Sequence, residues 1–223
     1  MQGRIVRAYD VDGTLSNSIQ QNHRATVEAH NRFGLMPPSL DELRDKYDQS
    51  NGFKKYCMAI RVPEQLLPEY LKHWFGFFRA IMKDTPPTII PGAREELERL
   101  ASLGAHLILL TKATERNTDL MLGMAWARSV FNETIFVDGP TDKTDAMKVL
   151  KGRMNGDGVI YFGDTLSDGK ACLGAGIKFG AMIHEYSYNS EGTLMEFVES
   201  SSGMAVPVHG VFDFQDSAER AFR

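Results

Sequence analysis

Arg4-Ile5-Val6-Arg7-Ala8-Tyr9-Asp10-Val11-Asp12-Gly13-Thr14-Leu15 is the stretch on which the fold turns. It reads as a short β-strand with β-branched residues that delivers two aspartates to its carboxyl end and breaks at glycine. In an extended chain Asp10 and Asp12 share one face, about 6–7 Å apart. At an effective dielectric of ~20 their repulsion is about 2.5 kcal/mol, which a bound cation or a proton on one partner relieves.

Working outward, the 223 residues are 43% hydrophobic, enough for one large domain or two small ones. The net charge is −4 with both signs scattered, so no basic stripe suits a nucleic-acid backbone and no polybasic patch suits a membrane. Met1-Gln2-Gly3-Arg4-Ile5 lacks the apolar run of a signal peptide, and no later segment approaches the length of a membrane span. A soluble cytoplasmic protein is the expectation. Cys57 and Cys172 lie far apart without C-x-x-C spacing and are expected as buried or incidental thiols.

Behind Leu15 the pattern is helical. Ile19 to Phe33 carries apolar residues at helix-compatible intervals and stops at Gly34; Ser39 and Glu42 form a capping box for a helix through about Tyr47. Asp48 to Gly52 reads as a turn, Phe53 to Ile60 as a third helix, and Glu64 to Met82 as a fourth rich in aromatics. No strand is expected among them. From Pro91 strands and helices alternate: a helix to about Leu103, a buried strand from Ala105 to Leu110, a helix from about Asn117 to Ser129, a strand from Thr134 to Val137, and a helix from Lys143 to Lys151. Gly158 to Phe162 is the next strand and ends at Gly163-Asp164; Ile177 to Ile183 is another. The tail is weaker in pattern, with a helix near Thr193 to Ser200, a short strand at Val206 to Val211 and a last helix over Ser217 to Phe222. The expected fold is α/β: a doubly wound, Rossmann-like parallel sheet at 1–15 and 86–223, with an all-helical domain inserted at 16–85. Right-handed crossovers put Asp10, Asp12, Thr111 and Asp164 on one rim, outside the carboxyl ends of the strands.

An aspartate at such a rim can attack phosphorus and form an aspartyl phosphate. Asp10, Asp164 and backbone oxygen between the first two aspartates suit magnesium, and a carboxylate two residues on is placed for general acid and base work. Asp10-Val11-Asp12-Gly13-Thr14-Leu15 resembles the first motif of the haloacid dehalogenase-like hydrolase superfamily. The strand ending in Thr111, Lys143 at the opening of a helix, and Gly163-Asp164-Thr165-Leu166-Ser167-Asp168 are similar to its other three, in the same order. The helical insert falls where phosphoglycolate phosphatase and β-phosphoglucomutase relatives carry a cap.

The resemblance implies Asp10 as nucleophile, Asp12 as acid and base with its carbonyl on Mg2+, Thr111 and Lys143 on phosphate oxygens, Asp164 as a metal ligand, and Asp168 in the metal's outer shell. The implied partner is a small phosphorylated molecule. Dehalogenase members lack the second aspartate, so Asp12 favours phosphate esters. Lys143 is followed by Thr144-Asp145 where the family often has proline, which leaves Lys148 and Lys112 as rivals. In the cap, Gly52 would let the backbone turn and Lys54 or Lys55 would meet an anionic substrate, a solvated helix start being the other reading. The aromatic run from Tyr70 to Phe78 reads as cap core, a substrate box being the other reading, and His23 as an exposed histidine, a site-facing one being the other reading. A phosphosugar mutase, a phosphonate hydrolase with a Schiff-base lysine at Lys54 or Lys55, and a non-catalytic module retaining the fold are the alternatives.

Overall fold

The computed structural model describes residues 4–49, 53–137, 143–154 and 158–223. Strand β1 (Ile5–Tyr9) leads to a two-residue strand β2 (Ser16–Asn17) and then to helices α1 (Ile19–Arg32), α2 (Leu40–Gln49), α3 (Phe53–Ala59) and α4 (Leu67–Asp84). After β3 (Thr88–Ile89) come α5 (Ala93–Ser102), β4 (His106–Thr111), α6 (Glu115–Leu122), α7 (Met124–Val130), β5 (Glu133–Phe136), α8 (Lys143–Arg153) and β6 (Gly158–Gly163). The chain ends with α9 (Leu166–Ala175), β7 (Lys178–Met182), α10 (Glu191–Ser200), β8 (Ala205–Val208) and α11 (Phe214–Ala221).

Six strands form one parallel sheet in the order β5-β4-β1-β6-β7-β8. The chain winds outward from β1 on one side through β4 and β5, then returns to build the other side. That reversal makes the carboxyl end of β1 the crevice where such sheets take ligands. Period-two alternation divides the core: Val6, Ala8, Ile108, Leu110, Val159 and Tyr161 face one way, while Tyr9, Leu107, Leu109, Ile160 and Phe162 face the other. On that second face Tyr9 stacks on Phe162 at 5.0 Å, and Phe214 of α11 meets both rings at 4.9 Å.

Helices α1 to α4 bury Ala25, Leu43, Tyr56, Ile60, Tyr70 and Trp74 in an apolar cluster continuous with that second face, pinned by polar contacts. His30 is fully buried, its Nε2 2.9 Å from the Ile60 carbonyl and its Nδ1 2.9 Å from both the Thr26 carbonyl and the Tyr70 hydroxyl. Trp74 Nε1 donates to Thr26 Oγ1 at 3.0 Å. The expectation of no strand in this part needs one correction. β2 and β3 pair antiparallel at its two ends, and Ile90 N–H donates to Leu15 O at 2.9 Å, so the two passages between core and insert are clasped together.

Other expectations shift too. The helix expected over Asn117 to Ser129 is two, because Gly123 has φ +76 and Asp119 Oδ1 accepts Met124 N–H at 2.8 Å to start α7. The last strand ends at Val208, and the last helix begins at Phe214. Both cysteines are free and buried.

Candidate active site

Asp10 follows β1 directly, and its N–H continues the ladder to Phe162 O at 2.9 Å. The chain then reverses: Leu15 and Ser16 N–H both return to Val11 O at 2.9 Å, with Gly13 at φ +66. A Cβ at Gly13 would overlap the Asp164 carboxylate, so this turn demands glycine for both conformation and space. Asp164 closes β6 and is fully buried; its Oδ2 accepts Tyr188 N–H at 2.6 Å. Asp168 is the third residue of α9, where it forms a capping box with Thr165. The capping box uses Oδ2 of Asp168, which leaves its Oδ1 to face Lys143.

Lys143, first residue of α8 and 8% exposed, donates to Asp10 Oδ2 and to Asp168 Oδ1, both at 2.7 Å. Its ammonium also sits 5.3 Å above the Tyr161 ring. Burial works against the charge on Lys143, but Asp10 and Asp168 more than offset it and hold its pKa well above the usual lysine range. Burial raises Asp10 to about 6 against the pull of Lys143, with Asp168 and Asp12 adding repulsion. Asp164 is pushed well above the carboxylate range, first by burial and then by the charge of Asp168. Asp12 is also raised by burial, but the Ser18 hydroxyl, donating to its Oδ1 at 2.5 Å, draws it back. Ser18 Oγ in turn lies 3.1 Å from the Tyr188 hydroxyl.

Oxygens of Asp10, Asp164 and Asp168 lie within 4.8 Å of one another. Lys143 serves two of the three, and among the described residues no Lys, Arg or His lies within ion-pair distance of Asp164. A buried carboxylate with no ion-pair partner of its own, in a cluster of carboxylate oxygens, is a donor set that fits a hard divalent cation.

Thr111 ends β4, buried, and its Oγ1 accepts Ala113 N–H at 3.1 Å. It lines a cleft of about 490 Å3 with Asp10, Asp12, Lys143, Asp164 and Asp168. A larger hollow of about 960 Å3 surrounds Arg7 and His106, at the amino ends of the strands and away from these carboxylates. Of the rival lysines, exposed Lys112 is on the cleft rim, whereas Lys148 pairs with Asp145 at 3.6 Å and is not among the cleft's lining.

The cap lysines are not brought to the site. Tyr56, Cys57 and Ile60 take the inward phase of α3 and its end, which leaves Lys54 and Lys55 exposed, Lys54 within 3.3 Å of Glu64. Gly52 lies outside the described residues. His23 is half-buried and meets Pro38 O at 2.9 Å, where an exposed side chain was expected.

A family model for the haloacid dehalogenase-like hydrolase matches residues 8–182. The chain belongs to the haloacid dehalogenase-like hydrolases. No curated protein sequence matches this hydrolase, but solved structures share its fold. A predicted phosphoglycolate phosphatase from Haemophilus somnus 129PT superposes with a TM-score of 0.74 at 15% identity, covering 97% of this chain and 98% of that one. A haloacid dehalogenase-like family protein from Streptococcus pneumoniae gives 0.73 at 16%, covering 96% and 97%. CbbY from Rhodobacter sphaeroides, solved with phosphate and, as a variant, with xylulose-(1,5)-bisphosphate, gives 0.60 at 18%, covering 84% and 88%.

In this hydrolase the sequence reading missed Ser18, Asn22 and Tyr188. Only the polar character of Ser16-Asn17-Ser18 hinted at the first, and Tyr188 lies in the weakly patterned tail. The aromatic run divides: Tyr70 is cap core as expected, but Trp74, Phe75 and Phe78 also line the cleft.

Proposed function

We propose that this chain is a magnesium-dependent phosphomonoester hydrolase that works in the cytoplasm on a small phosphorylated molecule through an aspartyl phosphate. The observation that carries this reading is Lys143 held at 2.7 Å between Asp10 and Asp168, beside an Asp164 that has no ion pair of its own. Asp10 has one oxygen tied to Lys143 and the other accepting Val11 N–H at 2.9 Å, so its carboxylate is fixed for attack on phosphorus. Asp12 protonates the departing oxygen, then takes a proton from the water that attacks the phosphoryl group and frees Asp10. The raised pKa of Asp12 suits proton exchange, and Ser18 holds its orientation. Thr111 and Lys143 bind phosphoryl oxygens.

Asp10, Asp164, the Asp12 carbonyl and, more distantly, Asp168 would hold magnesium. Magnesium bound there supplies positive charge between nucleophile and phosphate. Residues 16–85 act as the cap over a core of 1–15 and 86–223, and the clasp of Ser16–Asn17 on Thr88–Ile89 is where it pivots.

Asp10→Asn removes the nucleophile while keeping its shape. Phosphate release from a panel of esters with magnesium is expected to fall by roughly 10⁴-fold or more. A variant rate within tenfold of the wild type would overturn the assignment.

A further inference from the structure

The cleft above the carboxylates has two chemically different sides. Its floor is the carboxylate cluster with Lys143; its roof, from α1, α2 and α4, is Asn22, Tyr47, Trp74, Phe75 and Phe78. That roof carries no cation. Lys112 and Lys143 are the only Lys, Arg or His among the described residues lining the cleft. The segments outside the described residues contain none of the three types, being 1–3 (MQG), 50–52 (SNG), 138–142 (DGPTD) and 155–157 (NGD). Because Lys143 already serves Asp10 and Asp168, a second anionic group on the substrate would meet only the rim's Lys112. A two-carbon phosphoacid would also leave most of the aromatic wall against water.

Two features of the roof describe what it suits. Phe75 is 46% exposed at the mouth of the cleft. It meets Trp74 edge-on at 5.2 Å and 84°, and Trp74 stacks on Phe78 at 4.9 Å and 12°. Trp74 and Phe78, both buried, brace Phe75, which alone of the three has appreciable area still to lose to a flat ligand. Beside it is Asn22, 7% exposed, whose Oδ1 is buried without a hydrogen-bond partner among the described residues. A buried acceptor left without a partner is costly, and an N–H on a ring edge or a hydroxyl would satisfy it.

We propose that the leaving group is uncharged and bears a flat heteroaromatic ring of the nucleoside class, packed on Phe75 with a donor of its polar edge at Asn22 Oδ1. Phe75 and Asn22 are then specificity-determining residues. This rests on the hydrolase reading for the phosphate end alone; the ring site is a binding claim in its own right.

The test has two arms. In the first, kcat/KM with magnesium is compared for nucleoside 5′-monophosphates and phosphoglycolate, using wild type, Phe75→Ala, Phe75→Trp and Asn22→Ala, each checked for folding by its Tm. The expected preference for the nucleoside esters is tenfold or more. Their advantage falls about tenfold in Phe75→Ala and Asn22→Ala, and recovers in Phe75→Trp, as loss and return of one stacking partner require. A preference for phosphoglycolate, or equal losses on both esters in Phe75→Ala, overturns the proposal.

In the second arm, calorimetry follows AMP binding to Asp10→Asn with and without Phe75→Ala. Ring-dependent binding without any hydrolysis by the wild type keeps the ring site and removes the hydrolase reading. Hydrolysis without ring preference does the reverse, and the absence of both removes both.

Discussion

At the scale of the residue, the site is a problem of buried charge. Asp10, Asp164 and Asp168 are buried within reach of one another, and Lys143 forms ion pairs with only two of them. Their positions were legible because a parallel strand must end somewhere, and each of Asp10, Thr111 and Asp164 stands where a run of apolar residues stops. Ser18, Asn22 and Tyr188 were not legible, since each reaches the site through tertiary packing that no local period encodes. Tyr188 is 24 residues beyond the Asp164 that its N–H binds.

His184, close by in sequence, offers a clean pH test. Its Nδ1 accepts Tyr186 N–H at 3.2 Å, which puts the proton of the neutral ring on Nε2, buried without a partner. Burial holds its pKa down to about 4, against about 6.5 in an unfolded chain. The folded state therefore binds fewer protons between those values, and the stability of the neutral ring, complete above pH 6.5, is lost as pH falls toward 4. Relative to His184→Gln, the wild type is expected to lose about 2–3 kcal/mol between pH 7 and pH 4.5 in urea unfolding. A pH-independent difference between the two would contradict this environment for the ring.

At the scale of the element, helices and strands with a sustained period were readable, and those defined by one residue or by distant pairing were not. Asn117 to Ser129 keeps a helical pattern across Gly123, because glycine does not interrupt apolar spacing. The break comes from its positive φ and from the Asp119 side chain, which caps the next helix. Asp119→Ala is expected to lower stability by about 0.5–2 kcal/mol, read as a lower Tm with the far-ultraviolet spectrum retained. An unchanged Tm would mean the cap is not needed. β2 and β3, two residues each and 72 positions apart at Ser16 and Thr88, are too short to carry any period. Only the small polar residues after Leu15 and the proline pair at Pro86-Pro87 marked where they fall.

At the scale of the whole molecule, the sheet order β5-β4-β1-β6-β7-β8 carries the account, because it brings strand ends from three parts of the chain to one crevice. The right-handed parallel architecture follows from alternating strands and helices. The chemistry of the cleft's roof does not, since it depends on which face of α4 turns downward. If the carboxylate cluster is a metal site, magnesium binds the folded chain and raises its Tm. At a hundredfold excess over Kd the gain is about 2.7 kcal/mol. Asp164→Asn should abolish that response, and a magnesium shift surviving in it would move the metal elsewhere.

The central claim is that Asp10 carries the phosphoryl group. Acid quenching during turnover, borohydride reduction and peptide mass analysis address it directly, since reduction converts an aspartyl phosphate to homoserine. Homoserine is expected at position 10, dependent on substrate and magnesium. Intact aspartate at position 10 during rapid turnover, with homoserine at another carboxylate, would contradict it.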